Sequence, residues 1–371
     1  MKGPRPPVRH SPLPAVLLVG LVLAGCAVAA PIAVSSHEAE QGVTPSAPTP
    51  TIPLLTLEPP QEQPIIEPPS EDAADRFTGL RIEDLAERSY GGPGIRVGPA
   101  LKYSPGFTRY AMTYESDGLT IGGRITIPTG DGPFPVIILN HGYLPPNVYE
   151  PGADTWRMGE WLAEHGYIAV ASDYRNYGES SNGPNPFQIG YAVDVMNLIA
   201  QLDSLPQAIS SQVGIIGHSM GGEVSMWPMV LSDEVDGVVL YASMSGDVAR
   251  NWAYNLEKFP PQRPAMQALA ILYGTPEQEP EAFAQLSPIN YLDRVHMPVL
   301  IHHGMLDEVV PLNWSVELND ALHSAGVEST FYRYGDQGHT FRGDATFGLF
   351  MERNLAFFEE YVRGDVNRPG D

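Results

Sequence analysis

From Phe107 onward the chain alternates two kinds of apolar pattern. "FTRYAMTYES" (107–116) and "LTIGGRITIP" (119–128) exchange apolar and polar residues with period two, and Asp117-Gly118 stands between them. That combination predicts an antiparallel hairpin. "PFPVIILN" (133–140) is instead a continuous apolar run, as expected of a strand covered on both faces. "YIAVAS", "VGIIG", "GVVLYAS", "PVLIHH" and "STFYRYG" repeat that reading further along. Between these runs lie segments of helical spacing: "TWRMGEWLAEHG", "YAVDVMNLIAQL", "GEVSMWPMV" (interrupted at Pro228), "SVELNDALHSAG" and "LFMERNLAFFEEYV". Strands alternating with helices predict an α/β fold, a mostly parallel central sheet with helices on both faces, entered through the antiparallel hairpin. One segment, about residues 247–287, exceeds what a strand-to-helix connection needs. It reads as a small, mainly helical insertion after the sixth main strand, either a lid over the carboxyl ends of the strands or a packed surface excursion.

The first 75 residues follow neither pattern. Lys2, Arg5 and Arg9 precede a short apolar run, "AVLLVGLVLAGC", which reads as a secretory signal covering residues 1–25. The run ends in Leu23-Ala24-Gly25-Cys26, which looks like a bacterial lipobox, and Cys26 is the one cysteine of the chain. This predicts a lipid on the Cys26 thiol and an extracytoplasmic protein anchored to the cell membrane. Ordinary cleavage after "AVAA", giving a secreted protein, is the alternative. Residues 26–75 are rich in Pro, Glu, Gln and Thr and bury too little apolar surface to offset their ordering entropy, so a disordered tether is expected there. Residues 76–371 then form the catalytic domain.

The chain has 371 residues, 43% hydrophobic, with a formal net charge of −23. Such acidity leaves no basic patch to neutralise phosphates and excludes a general nucleic-acid binder. The composition is also too polar for a polytopic membrane protein.

The chemistry is carried by Gly217-His218-Ser219-Met220-Gly221, a G-x-S-x-G motif between a buried strand and a helix. A sharp turn there exposes the serine as a nucleophile, and the Met220 amide, at the helix start, faces any oxyanion formed beside it. A serine used only to cap the helix is the plainer alternative. A serine nucleophile needs a base, and of ten histidines His339 fits: it follows a strand, sits in the Gly-containing "YGDQGHTF" and precedes the last helix. Asp307, in the loop past "PVLIHH", is the candidate acid, with Asp247 the competing choice. "LNHGYLPP" supplies the second oxyanion donor, the amide of Tyr143. His302 and His303 alternate faces on one strand and are poorly placed to share an ion, so no metal or cofactor is expected.

"GHSMGG", "SDYRNYGES", "HHGMLDEVVP" and "GDQGHTF", in this order, resemble the blocks of the α/β-hydrolases, and more narrowly the catalytic domain of the prolyl-oligopeptidase family and its esterase relatives. The resemblance covers roughly Phe107 to Val362. It implies Ser219 as nucleophile, Asp307 as acid and His339 as base, and a structural charged pair of Arg175 with Glu179. Peptidases of that family usually carry a propeller before the catalytic domain, whereas only a tether and a short lead-in precede it here. No acidic motif for a substrate amino terminus is evident either. The sequence therefore points to a serine hydrolase of small carboxylic esters, with a short-peptide peptidase as runner-up and a polyester hydrolase or non-catalytic binding protein less favoured. Oligomeric state is not legible.

Overall fold

The computed structural model describes residues 75–260 and 263–364, which lie in the second of two compact units, Pro64–Asp371. The signal segment, Cys26 and the tether up to residue 74 lie outside the described residues.

Nine strands form one sheet: β1 (Arg96–Tyr103), β2 (Phe107–Ser116), β3 (Leu119–Pro128), β4 (Phe134–Asn140), β5 (Ile168–Ser172), β6 (Ala208–His218), β7 (Gly237–Tyr241), β8 (Val299–Gly304) and β9 (Ser329–Tyr334). Their order is β1-β2-β3-β5-β4-β6-β7-β8-β9. The first pairings, through β3 with β5, are antiparallel, and the rest, from β5 across to β9, are parallel. Asp117 (φ 51°) and Gly118 (φ 76°) make the tight turn between β2 and β3, the positive-φ pair that matches strand twist.

Both faces of the parallel part are covered, and the period of two sorts its side chains. Val136, Ile138, Val213, Ile215, Val238, Leu240 and Ile301 face one core, shared with α3 (Ile189–Ile199), α4 (Met220–Leu231) and α8 (Leu312–Ser324). Ile137, Leu139, Ile216, Val239 and Leu300 face the other, shared with α2 (Trp156–Glu164) and α9 (Asp344–Phe358). A short α1 (Ile82–Glu87) leads in, and residues after β7 form α5 (Val248–Lys258), α6 (Arg263–Tyr273) and α7 (Pro280–Leu286).

Three sequence expectations change. The helical excursion follows the seventh strand, because β1 precedes the hairpin; its residues are nearly all exposed, so no hydrophobic alternation marks it. Helix α4 runs through Pro228 rather than stopping there. Proline removes one intrahelical bond, and tertiary burial of the helix from Met220 to Val230 outweighs that loss. The charged pair also differs. Arg175 joins not Glu179, which is exposed, but Asp194 on α3: Nη2 lies 2.7 Å from Asp194 Oδ1, and the Arg175 amide donates to Oδ2 at 2.8 Å. Burial raises the Asp194 carboxyl above its ordinary range, against the pull of Arg175 and Ser116.

The carboxyl ends of β4, β6, β7 and β8 come level through the register, since Asn140 pairs with Gly217, His218 with Tyr241 and Tyr241 with His302. The loops that follow therefore open onto one rim. Breaking the buried pair by Asp194→Ala is expected to cost about 3–5 kcal/mol in urea unfolding, whereas Glu179→Ala should stay within about 0.5 kcal/mol.

Candidate active site

Ser219 closes β6 and opens α4 with φ 55° and ψ −117°, a region that costs a non-glycine residue on the order of 1–3 kcal/mol. Its neighbours hold it there. The Ser219 amide donates to Tyr241 O at 2.9 Å, and its carbonyl accepts from Met244 at 3.0 Å and Gly222 at 3.0 Å. The flanking glycines are sterically required: a Cβ on Gly217 would overlap Gly221 O, and one on Gly221 would overlap Asn140 O.

His339, in the loop after β9, places Nε2 2.9 Å from Ser219 Oγ and Nδ1 2.9 Å from Asp307 Oδ2. The Asp307 side chain, past β8, is fully buried. Its Oδ1 accepts from the amides of Val309 and Val310, both at 2.8 Å, and Oδ2 also lies 3.1 Å from His303 Nε2. Burial alone would raise this carboxyl, but these donors hold it well below the carboxylate range. It is a fixed anion behind a histidine behind a serine. Asp247, the competing acid, instead caps α5 by accepting from Ala249 at 2.9 Å and Arg250 at 3.1 Å. With Nδ1 of His303 2.7 Å from Ser315 Oγ on α8, and His302 Nδ1 2.8 Å from Tyr334 Oη, the two histidines serve opposite faces.

The loop after β4 brings Gly142 against Ser219; a Cβ there would sit 3.2 Å from the Ser219 Cβ. Tyr143 follows it, and Met220 is the first residue of α4, where an amide has no intrahelical acceptor. Both border a cavity of about 330 Å³. Tyr177 and Trp252 also line it, while Trp227 and Phe341, two other aromatics open to that role from sequence, pack elsewhere. Helices α5 and α6 form one wall through Val248, Trp252, Ala265 and Met266.

A scan against family models matches residues 155–365 to the prolyl oligopeptidase family, Peptidase_S9. The chain belongs to the prolyl oligopeptidase family. It is a serine hydrolase of α/β-hydrolase fold. A putative carboxymethylenebutenolidase of Methylorubrum extorquens is 25% identical over 285 residues, 70% of this chain and 85% of its own. Acetyl xylan esterase 1 from Thermoanaerobacterium sp. JW/SL YS485 superposes with a TM-score of 0.59 at 20% identity, covering 75% of this chain and 91% of the esterase. The Pyrococcus horikoshii acylaminoacyl peptidase gives 0.57 at 22% identity, covering 70% of this chain but 43% of the peptidase.

Two features of this family member escaped the sequence reading. His218 Nδ1 lies 2.7 Å from Asp154 Oδ2, which also accepts from the Gly142 amide at 2.9 Å, and His218 Nε2 reaches His339 O at 3.3 Å. Burial opposes charge on both partners, yet their mutual attraction prevails, raising His218 and lowering Asp154. Asp154 stands 64 positions before His218, so no local pattern announces the pair. The second is Glu223, buried on α4 and bordering the cavity. Its signal was visible as the only charge in "MGGEVSMWPMVL".

Burial pushes the Glu223 carboxyl up to about 8, with Asn251 pulling weakly the other way. Folding therefore takes up a proton between the unfolded value of 4.5 and about 8, so stability falls as pH rises through that window. Glu223→Gln removes this term. The variant should match the parent near pH 4.5 and exceed it by on the order of 4 kcal/mol at pH 9 in paired urea unfolding.

Proposed function

We propose that the protein hydrolyses carboxylic esters of small molecules through an acyl-enzyme on Ser219. The observation that carries this reading is the unbroken relay of two 2.9 Å contacts from Ser219 Oγ through His339 to Asp307. His339 Nε2 takes the hydroxyl proton as Ser219 Oγ attacks the carbonyl carbon. The amides of Met220 and Tyr143 receive the oxyanion, each such donor being worth about 3 kcal/mol in the transition state. Collapse expels the alcohol, which His339 protonates; water, deprotonated by the same nitrogen, then releases the acid and restores Ser219. Asp307 keeps the ring oriented and its charge compensated.

Alignment over nearly the full length of an acetyl xylan esterase supports ester substrates, while likeness to an acylaminoacyl peptidase keeps short peptides as the second reading. The lipobox-like "LAGC" supports an extracytoplasmic protein held at the membrane by a lipid on Cys26, with secretion as the alternative.

Two measurements test this. kcat/KM for short- and medium-chain nitrophenyl esters should far exceed that for aminoacyl and peptidyl nitroanilides, and Ser219→Ala should lower kcat by on the order of 10⁵-fold; comparable anilide turnover would favour the peptidase. In cells, Cys26→Ser should abolish incorporation of labelled palmitate, and an unlabelled parent protein would remove the anchor from the reading.

A further inference from the structure

The cavity beside Met220 and Tyr143 holds two buried oxygen acceptors without partners. One is Oε2 of Glu223, a side chain 2% exposed and one helical turn beyond Ser219. The other is Oε1 of Gln188, a residue held at φ 64° just before α3. Both residues border the cavity. Asn251, the polar neighbour of Glu223 on α5, is committed to the Ser245 backbone, donating to its carbonyl at 2.7 Å and accepting from its amide at 3.1 Å. No lysine, arginine or histidine lines the space; its walls include the rings of Tyr177, Tyr191 and Trp252.

Buried acceptors left unpaired are costly. A group that satisfies two of them at once must bring several donors. A hydroxyl brings one, along with lone pairs of its own that find no cation here. An ammonium brings three donors and no acceptor, and aromatic faces attract its charge. We propose that this cavity is a subsite for an ammonium group on the substrate, with Glu223 Oε2 and Gln188 Oε1 accepting its hydrogens and the aromatic walls facing its charge. The proposal rests on the ester-hydrolase reading for the reaction but not for the binding. It makes the hydrolase selective for esters carrying an amine a few carbons from the scissile bond.

Binding has a proton balance. In the empty cavity burial keeps Glu223 protonated near neutrality; the arriving cation favours the carboxylate, and the proton leaves to solvent. The other titratable groups on the cavity are the phenols of Tyr143, Tyr177 and Tyr191, the last two pushed upward by burial.

Calorimetry on the intact protein tests this with pentylammonium and 1-pentanol at pH 7, in two buffers of different protonation enthalpy. Pentylammonium should bind at least tenfold more tightly than pentanol and release close to one proton. Glu223→Gln should abolish both the preference and the release, while Ser219→Ala should preserve them. Equal binding of the two probes, no binding of the ammonium, or binding without proton release would overturn the proposal; the last readout needs no variant to fold. Pentanol binding that is tighter and lost in Glu223→Gln would assign the cavity to hydroxylated groups instead. In turnover, nitrophenyl 6-aminohexanoate should exceed nitrophenyl heptanoate at least tenfold in kcat/KM, a preference lost in Glu223→Gln. Absence of all ester turnover with the binding results intact would remove the proposed reaction and leave the subsite.

Discussion

The strained backbone of Ser219 is the constraint around which the rest is arranged. A φ of 55° and ψ of −117° is not a conformation that a serine keeps unaided. It is imposed by bonds to Tyr241 and Met244 on one side and by close approach at Gly217 and Gly221 on the other. The sheet register supplies those neighbours. Because β4, β6 and β7 end level, the turn has a carbonyl to donate to and a flat wall against which α4 can start. The oxyanion loop after β4 reaches the serine for the same reason.

Buried charge completes the scaffold. Asp154 and His218 form an ion pair whose other bonds run to Gly142 and to the His339 carbonyl. One imidazole and one carboxylate thus tie the loops after β4, β6 and β9 together. Asp307 is fixed separately, by two amides and by His303. Neither arrangement leaves its charge unpaired, in contrast to Glu223, whose Oε2 has no partner in the described residues.

What the sequence made legible follows from how local each signal was. The hairpin of β2 and β3, the buried parallel strands and the serine turn each announce themselves within about ten residues, and the structure places Ser219, His339 and Asp307 within hydrogen-bonding reach of one another. The errors have a common origin in distance. Arg175 was assigned to Glu179, four positions away, when its partner Asp194 comes from the next helix. Asp154 gave no sign of its role because its partner is on another element. Pro228 looked like a break because propensity is local, whereas the burial that overrides it comes from the whole core.

Strand β1 escaped notice because it is exposed, and its irregularity has a further meaning. It pairs with β2 through two register shifts, one of which contains Pro99, a residue with no amide hydrogen to offer. Arg96 and Lys102 flank that kink. A long sheet that ended in a flat, regular strand would present a row of free backbone groups to any other extended chain. Here the bulges twist that row, the proline interrupts it and the cations repel a second copy of themselves. On this side, the sheet carries its own barrier to growing into aggregates.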